Sequence, residues 1–327
     1  MRNYIFYILA ILAFACSCSS DQKTGKKKVT AKAQSAPYEL LIVADKDWVK
    51  SQAGQAFVET VAGPIEGLPQ IEKSFDVTNI NPVNFKGTFH TYSNIICVEF
   101  SKKYQDVTAD MVNDVYCTPQ AIITIKAPDN DALNAFLSTE SMNSIVTYIN
   151  NVEIKREKAL LEKHYSNVVN KKSQELFGFG IKAPQDIDEV KAGKNFMWGS
   201  ASKQEFRENV CIYTLPLKDL TVEEIIAARD SVMKINIPGD REDQWMETDR
   251  RTITAKNANI DGKEVLEVRG LWDMRNDAMG GPFVAYIQPD YDNNRVVVTE
   301  GFVFAPEEKK RPIIRKLEAM LQTMILK

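Results

Sequence analysis

Three carboxylates, Asp230, Glu267 and Asp273, lie close to a stretch dense in large apolar and cationic side chains. Two carboxylates on either side of a substrate act as general acid and general base, so any two of these three are candidates for hydrolytic chemistry. The same region holds Arg229 and Arg269, whose planar guanidinium groups offer paired donors to carboxylate, phosphate or sugar hydroxyls. Trp198, Trp245, Trp272 and Met279 add large apolar surface at loops and strand ends. Tryptophan with arginine is the composition that binding hot spots favour. Recognition through Trp198, Arg229, Asp230, Trp245, Arg269, Trp272 and Met279 is therefore the leading functional reading, ahead of catalysis. A structural reading competes with both: glycines where the backbone turns, tryptophans as core filler, arginines paired internally.

Other catalytic residues are scarce. The histidines are His90 and His164, and His164 sits in a charged helical stretch that reads as surface. With scattered cysteines they make no zinc site, so no metal and no cofactor is expected. No serine elbow, phosphate-binding loop or dinucleotide fingerprint occurs, and Gly178-Phe179-Gly180 reads as a bend. Cys97, Cys117 and Cys211 form no disulfide framework; Cys97 and Cys211 fall in apolar runs and read as buried thiols, with one bridge open as an alternative. A net charge of −3 offers no broad basic footprint for nucleic acid.

The elements that must position these residues can be read in order. Tyr38 to Ala44 is a buried strand, and Asp45 or Asp47 can cap the helix after it. Strands follow at 75–80, 94–100 and 121–125, with a helix from Thr108 to Tyr116 between the last two. A long helical region runs from Asp129 to about Lys172, broken near Ser138. Its charged part, Glu153 to His164, is expected on the surface or between two halves. In the second half, strands at 195–198 and 209–213 precede a helix that opens on Thr221 and Glu224, a capping box. Strands at 250–255, 264–269, 283–288 and 295–304 follow, with hairpin turns at Asp261-Gly262 and Asp292-Asn293-Asn294. Arg269 to Phe283 then reads as a strand end, a tight loop and a new strand. A last helix carries Ile313, Ile314, Leu317, Met320, Leu321 and Met324 on one face. The halves rhyme weakly: Asn94-Ile95-Ile96-Cys97 before Thr108 resembles Asn209-Val210-Cys211 before Thr221. The expected fold is α+β: two loosely similar αβ halves, a mainly antiparallel sheet in the second, and long helices packed on one face.

The first residues carry an address. Arg2, an apolar run from Ile5 to Ala15, then Ala15-Cys16-Ser17-Cys18 have the form of a lipoprotein signal, with Cys16 preferred over Cys18 for acylation. The run is too short to span a bilayer. Residues 1–18 read as signal, 19–37 as a flexible tether with Lys26-Lys27-Lys28, 38–175 as an N-terminal αβ half and 176–327 as a C-terminal half carrying the Gly/Trp/Arg stretch. The address implies a chain anchored to the membrane by its lipid. Only Asp21 follows the cysteines closely as an acid, which favours the periplasm-facing leaflet of an outer membrane over its outer surface.

Arg229-Asp230, Ile237-Pro238-Gly239, Arg269-Gly270-Leu271-Trp272, Met279-Gly280-Gly281-Pro282-Phe283 and Gly301-Phe302-Val303-Phe304-Ala305-Pro306 together resemble the domain-of-unknown-function 4837 family of Bacteroidetes lipoproteins. The resemblance spans the chain after the tether and implies an envelope lipoprotein without transferring any catalytic residue. The expected role is binding of a small ligand or an envelope partner through the aromatic–arginine region. A carboxylate-dependent hydrolase of envelope glycan or peptide, and a purely structural assembly lipoprotein, are the alternatives.

Overall fold

Glu39-Leu-Leu-Ile-Val43 is an apolar run of the kind that suits a strand covered on both faces. In the computed structural model, which describes residues 31–201, 207–324 and 326, it is β1 (Glu39–Val43) of a five-stranded sheet. The other strands are β2 (Asp76–Ile80), β3 (Asn94–Phe100), β4 (Thr108–Asn113) and β5 (Ala121–Ala127), in the order β2-β1-β3-β5-β4. All run parallel except β4, which lies antiparallel to β5 with Thr108 opposite Lys126 and Asn113 opposite Ala121.

Side-chain oxygens start the helices by accepting free backbone N–H groups. Asp45 caps α1 (Lys46–Lys50), Ser51 caps α2 (Gln52–Val61), Asp129 caps α3 (Asn130–Leu137) and Thr139 caps α4 (Glu140–Leu161). Phe57, Val61, Met142, Ile145 and Ile149 from these helices cover the sheet face formed by Leu40, Ile42, Ile96, Ile123 and Ile125. Leu41, Val43, Ile95 and Ile122 face the other way, against Phe85, Phe89 and Tyr92 of the 82–92 segment.

The second sheet has seven antiparallel strands, ordered β6-β7-β8-β12-β11-β10-β9. They are β6 (Ile187–Ala192), β7 (Phe196–Ala201), β8 (Arg207–Pro216), β9 (Met246–Ile260), β10 (Lys263–Met274), β11 (Gly280–Asp290) and β12 (Arg295–Phe304). Period-two alternation splits their side chains between two cores. Val210, Ile212, Val284, Tyr286 and Val297 face α5 (Asn167–Phe177) and α7 (Arg311–Leu321). Cys211, Tyr213, Phe283, Ala285 and Val298 face α6 (Val222–Asn236), which opens on the expected Thr221/Glu224 capping box. The second half is thus an α+β domain with helices on both faces of its sheet, where a single helical face had been expected. Strand order and sense differ between the two sheets, so the local rhyme between the halves does not extend to topology.

Other differences have physical causes. Residues 108–113 are strand rather than helix, because pairing along the open side of β5 outweighs a marginal local helix. The long helical region is broken twice, at Ser138-Thr139 and again before Ser166, which caps α5. Gly178, at φ +83, closes α5 in the left-handed conformation that glycine tolerates, which is the bend anticipated there. The Trp272 segment continues as strand to Met274, and β11 begins at Gly280. Cys97, Cys117 and Cys211 are free thiols, the last two buried.

The two sheets meet through α4, α7 and the 63–75 segment. Glu72 accepts the backbone N–H groups of Lys310 and Arg311 at 2.8 and 3.0 Å, capping a helix that has no side-chain cap of its own. Arg311 bonds Asp76, and Arg315 donates to Asn150 at 3.1 Å. Glu153, read as surface, is buried: it accepts the Tyr38 N–H, the Asn94 amide and Arg156. No helix among the described residues is long and apolar enough to cross a membrane.

Candidate functional site

Three of the seven residues read as a recognition surface lie inside the protein. Arg229, 1% exposed, projects from α6 toward the sheet. Its Nε and Nη2 donate to both oxygens of Glu300 at 2.9 and 2.7 Å, its Nη1 donates to Thr248 at 2.7 Å, and its guanidinium stacks on Phe283 at 4.1 Å. Burial pushes the Glu300 carboxyl upward against the pull of Arg229. Trp272, 2% exposed, donates its indole N–H to the Val303 carbonyl at 3.2 Å and meets Phe302 edge-on at 5.5 Å. Arg269 is buried on the opposite face of the sheet, donating to Glu267 at 2.8 Å and to Glu318. Burial alone would raise the Glu318 carboxyl, but Arg269 and Arg315 hold it down at about 2. These groups have their partners already, and none of the three faces a solvent-filled space.

The carboxylates separate likewise. Asp230 accepts the Thr248 hydroxyl and pairs with Arg250 at 3.1 Å on the α6 side. Glu267 is tied to Arg269 on the α7 side and to Lys256 at 3.3 Å. Asp273 is exposed at the end of β10. The structure brings no two of them to one substrate. Trp198 is half-buried, its indole donating to Asn209 at 2.9 Å. Trp245 is half-buried between two cations, Lys234 Nζ at 3.8 Å and the Arg275 guanidinium at 4.7 Å from its ring.

Met279 is different: it is 37% exposed and lines an open cleft of about 920 Å³. The cleft lies where the β10–β11 hairpin tip, the end of β12 and residues 69–70 of the first half come together. Leu271, Phe304 and Pro69 give it apolar surface; Glu247, Asp273, Arg275 and Lys310 give it both signs of charge. Cross-strand register sets Glu247 directly opposite Asp273. Arg275 lies 3.7 Å from Glu247, while the ammonium of Lys310 has no ion-pair partner among the described residues. Gly280 and Gly281 shape the wall: a Cβ on Gly281 would stand 1.9 Å from the Val303 carbonyl oxygen, so only glycine lets β11 lie this close to β12.

Sequence reasoning reached Met279 and its neighbours but passed over Glu247, Lys310 and residues 69–70. Arg275 and Asp273 carried a signal, since both adjoin the glycine–tryptophan motif. Lys310 carried none, because Glu72 and α7 place it from far along the chain. Among the described residues no cluster of histidine, cysteine and carboxylate has the form of a metal site. Cys16 and Cys18 lie outside the described residues.

Residues 166–323, the second half with its seven-stranded antiparallel sheet between helices, match the family model described as "Domain of unknown function (DUF4837)". That match is narrower than the motifs implied, because residues 33–162 match a different model, "Domain of unknown function (DUF8532)". The boundary between the two matches falls in the turn between α4 and α5. No curated protein matches the chain. A solved structure of a mutant of the protein Mog1 is similar over 42% of this chain and 81% of its own, at 12% identity and a TM-score of 0.27, which is too low to carry an argument.

Proposed function

We propose that this is a lipid-anchored envelope protein, attached through Cys16 or Cys18 at the periplasmic leaflet of an outer membrane, that binds a small ligand or an extended segment of an envelope partner. The observation that carries the reading is the open cleft beneath the β10–β11 hairpin, with Met279 exposed in it and Lys310, itself only 7% exposed and without an ion-pair partner among the described residues, at its edge. An apolar floor with both signs of charge around it suits a ligand of the same make-up: an apolar group against Met279 and Leu271, an anionic group toward Lys310, a cationic group toward Glu247 and Asp273. A short peptide segment has this chemistry. The expected binding residues are thus Met279, retained from the sequence reading, with Arg275, Lys310, Glu247 and Asp273. Arg229, Arg269 and Trp272 support the sheet behind them.

The test is a thermal-unfolding screen of the full chain against a panel of tripeptides that varies in charge and side-chain size. A member present at about a hundred times its dissociation constant adds roughly 2.7 kcal/mol, which raises Tm by several degrees in a protein of this size. The shift should vanish in Met279→Asp and in Lys310→Ala. A panel in which nothing shifts Tm, or in which the variants shift as the wild type does, defeats the reading.

A second reading, hydrolysis of envelope glycan or peptide by paired carboxylates, has one observation in its favour. Glu247 and Asp273 face the cleft from directly opposite strand positions, and two acids so placed can divide acid and base roles. Turnover of a cleft-bound peptide or glycan that is lost in both Glu247→Gln and Asp273→Asn would favour this reading; binding without turnover would remove it.

A further inference from the structure

The edge strand β4 ought to be the most polar strand of its sheet, since one side of it has no neighbour and both faces meet water. It is instead apolar at its centre. Met111 is 50% exposed and Val112 49% exposed, and Val115 and Tyr116, just beyond the strand, are exposed as well. Val112 shares the face of Ile122, its partner in β5, and that face continues into Phe85 and Phe89. Tyr116 completes the surface: its ring stacks on His90 at 3.9 Å and meets Phe85 edge-on at 5.8 Å. Val83, in the same 82–92 segment, is 78% exposed. Met111, opposite Ile123, points to the other face of the sheet. The exposed apolar surface is therefore that of Val112, Val115, Tyr116 and Val83, and an exposed apolar surface of this kind marks something it rests against.

The course of the chain points to what that is. Residues 31–35 are pinned beside this surface. The Thr118 N–H donates to the Ala31 carbonyl at 2.8 Å, Ala33 N–H to Thr118 at 3.2 Å, Gln34 N–H to Thr91 at 3.0 Å and Ser93 N–H to the Ser35 hydroxyl at 2.9 Å. Thr118 is two positions from Tyr116, and Thr91 adjoins His90. The chain toward Cys16 therefore leaves the body at the edge of the apolar surface. From Cys16 to Lys32 a fully extended chain reaches at most about 55 Å. An acylated Cys16 would hold this side of the protein near the bilayer rather than any other. Lys32 and Lys86 are exposed around it, and Lys26-Lys27-Lys28 lie in the connecting stretch; lysines so placed are drawn to an anionic surface. The nearby acids are engaged: Asp110 with Lys126 at 2.7 Å, and Asp114 as acceptor from the Gln120 N–H at 2.8 Å.

We propose that the β4 edge with Val83, Val112, Val115 and Tyr116 is a lipid-docking surface that seats the first half of the protein on the bilayer carrying its anchor. The apolar tips enter the headgroup boundary, as interfacial aliphatic and tyrosine side chains do. Because β4 and β2 are opposite edges of the five-stranded sheet, this seating turns the 69–70 segment, which leads into β2 and walls the cleft, away from the membrane. The cleft opens toward the envelope space. The inference rests on the anchor proposed above.

The test uses the full acylated chain reconstituted into vesicles of phosphatidylethanolamine and phosphatidylglycerol. A nitroxide is placed at Val112→Cys, or as a control at Ile235→Cys on the exposed face of α6, in a Cys18→Ser, Cys97→Ser background. On reconstitution the label at 112 should gain collisions with oxygen and lose those with a water-soluble nickel chelate, each by at least threefold relative to 235. Both substitutions are at exposed positions and should leave Tm unchanged. If the protein floats with the vesicles but labels at 112 and 235 behave alike, the docking surface is wrong and the anchor stands. If 112 loses nickel contact without gaining oxygen, protein covers it instead, and the proposal is again overturned. If the chain does not float at all, anchor and docking fall together.

Discussion

The body and the tip of one hairpin share a composition and differ in their surroundings. Arg269 and Trp272 lie in the body of β10; Arg275 and Met279 lie at its tip, within ten residues of them. In the body each polar group meets a partner from another element: Arg269 meets Glu318 of α7, and the Trp272 indole meets Val303 of β12. At the tip, Arg275 and Met279 project past the last strand pairing into the cleft. Arginine and aromatic density alone does not separate core from surface. What separates them is whether a second element arrives to complete the hydrogen bonds, and only the fold supplies that.

The strongest way to break this comparison is to remove a partner in the interior. Arg229→Ala would leave Glu300, fully buried, without its cation. The expected loss is about 3–5 kcal/mol, read by urea unfolding at neutral pH. Replacing both partners by apolar residues of similar size should recover most of it, because the penalty comes from the stranded charge. A loss below about 1 kcal/mol for Arg229→Ala would mean that the buried pairs behind the hairpin are no more structural than its tip.

Acid offers a second test of the interior, through Glu318. Its folded-state pKa lies near 2, below the ordinary carboxylate range, because Arg269 and Arg315 both face it. A depressed pKa gives stability that is present above the unfolded value and is lost as pH falls through the folded one. The contribution, roughly 3 kcal/mol by that linkage, should disappear between about pH 4.5 and pH 2. Glu318→Gln, which imitates the protonated acid, should therefore be less stable than the wild type at pH 7 and close to it at pH 2. Parallel stability curves across that window would show that the two arginines do not act on this carboxylate as argued.

Much of the fold was legible, for reasons that the misses make clear. The Thr221–Glu224 cap and the apolar runs of β1, β3 and β12 depend on residues within a few positions of one another, and each read correctly. Apart from the second break in the long helical region, where Ser166 caps α5 locally, the failures involve distant partners. β4 looks helical until β5 offers it an edge. Arg229 looks like a binding residue until Glu300, 71 positions later, reaches it. The α7 cap comes from Glu72, 238 and 239 positions away from the N–H groups it accepts. Met279 could be placed at a hairpin tip because that tip is local; Lys310, which lines the same cleft, could not be placed there.

Packing at the hairpin itself gives a third test. A Cβ at Gly281 would meet the Val303 carbonyl oxygen at 1.9 Å, an impossible approach to a backbone atom that cannot swing aside. Gly281→Ala should cost about 1–3 kcal/mol, as overpacking does, and by shifting β11 it should also deform the cleft. Urea unfolding gives the first quantity and tripeptide affinity the second. Stability that falls while affinity holds would show that the glycines serve the sheet alone.

The smallest stability effect is the most informative about function. Met279→Ser removes an exposed thioether whose backbone carbonyl keeps its bond from the Met274 N–H at 2.8 Å. No buried partner is stranded and no core cavity opens, so stability should change by no more than about 0.5 kcal/mol. Affinity for any tripeptide that stabilises the wild type should nonetheless fall by at least tenfold, about 1.4 kcal/mol, because the side chain supplies apolar contact at the floor of the cleft. Arg229→Ala at a temperature where it stays folded should show the reverse: a large stability loss and an intrinsic affinity close to that of the wild type. Met279→Ser that weakens folding but not binding would place this methionine with the interior residues, and the division between body and tip would fail at the residue that defines it.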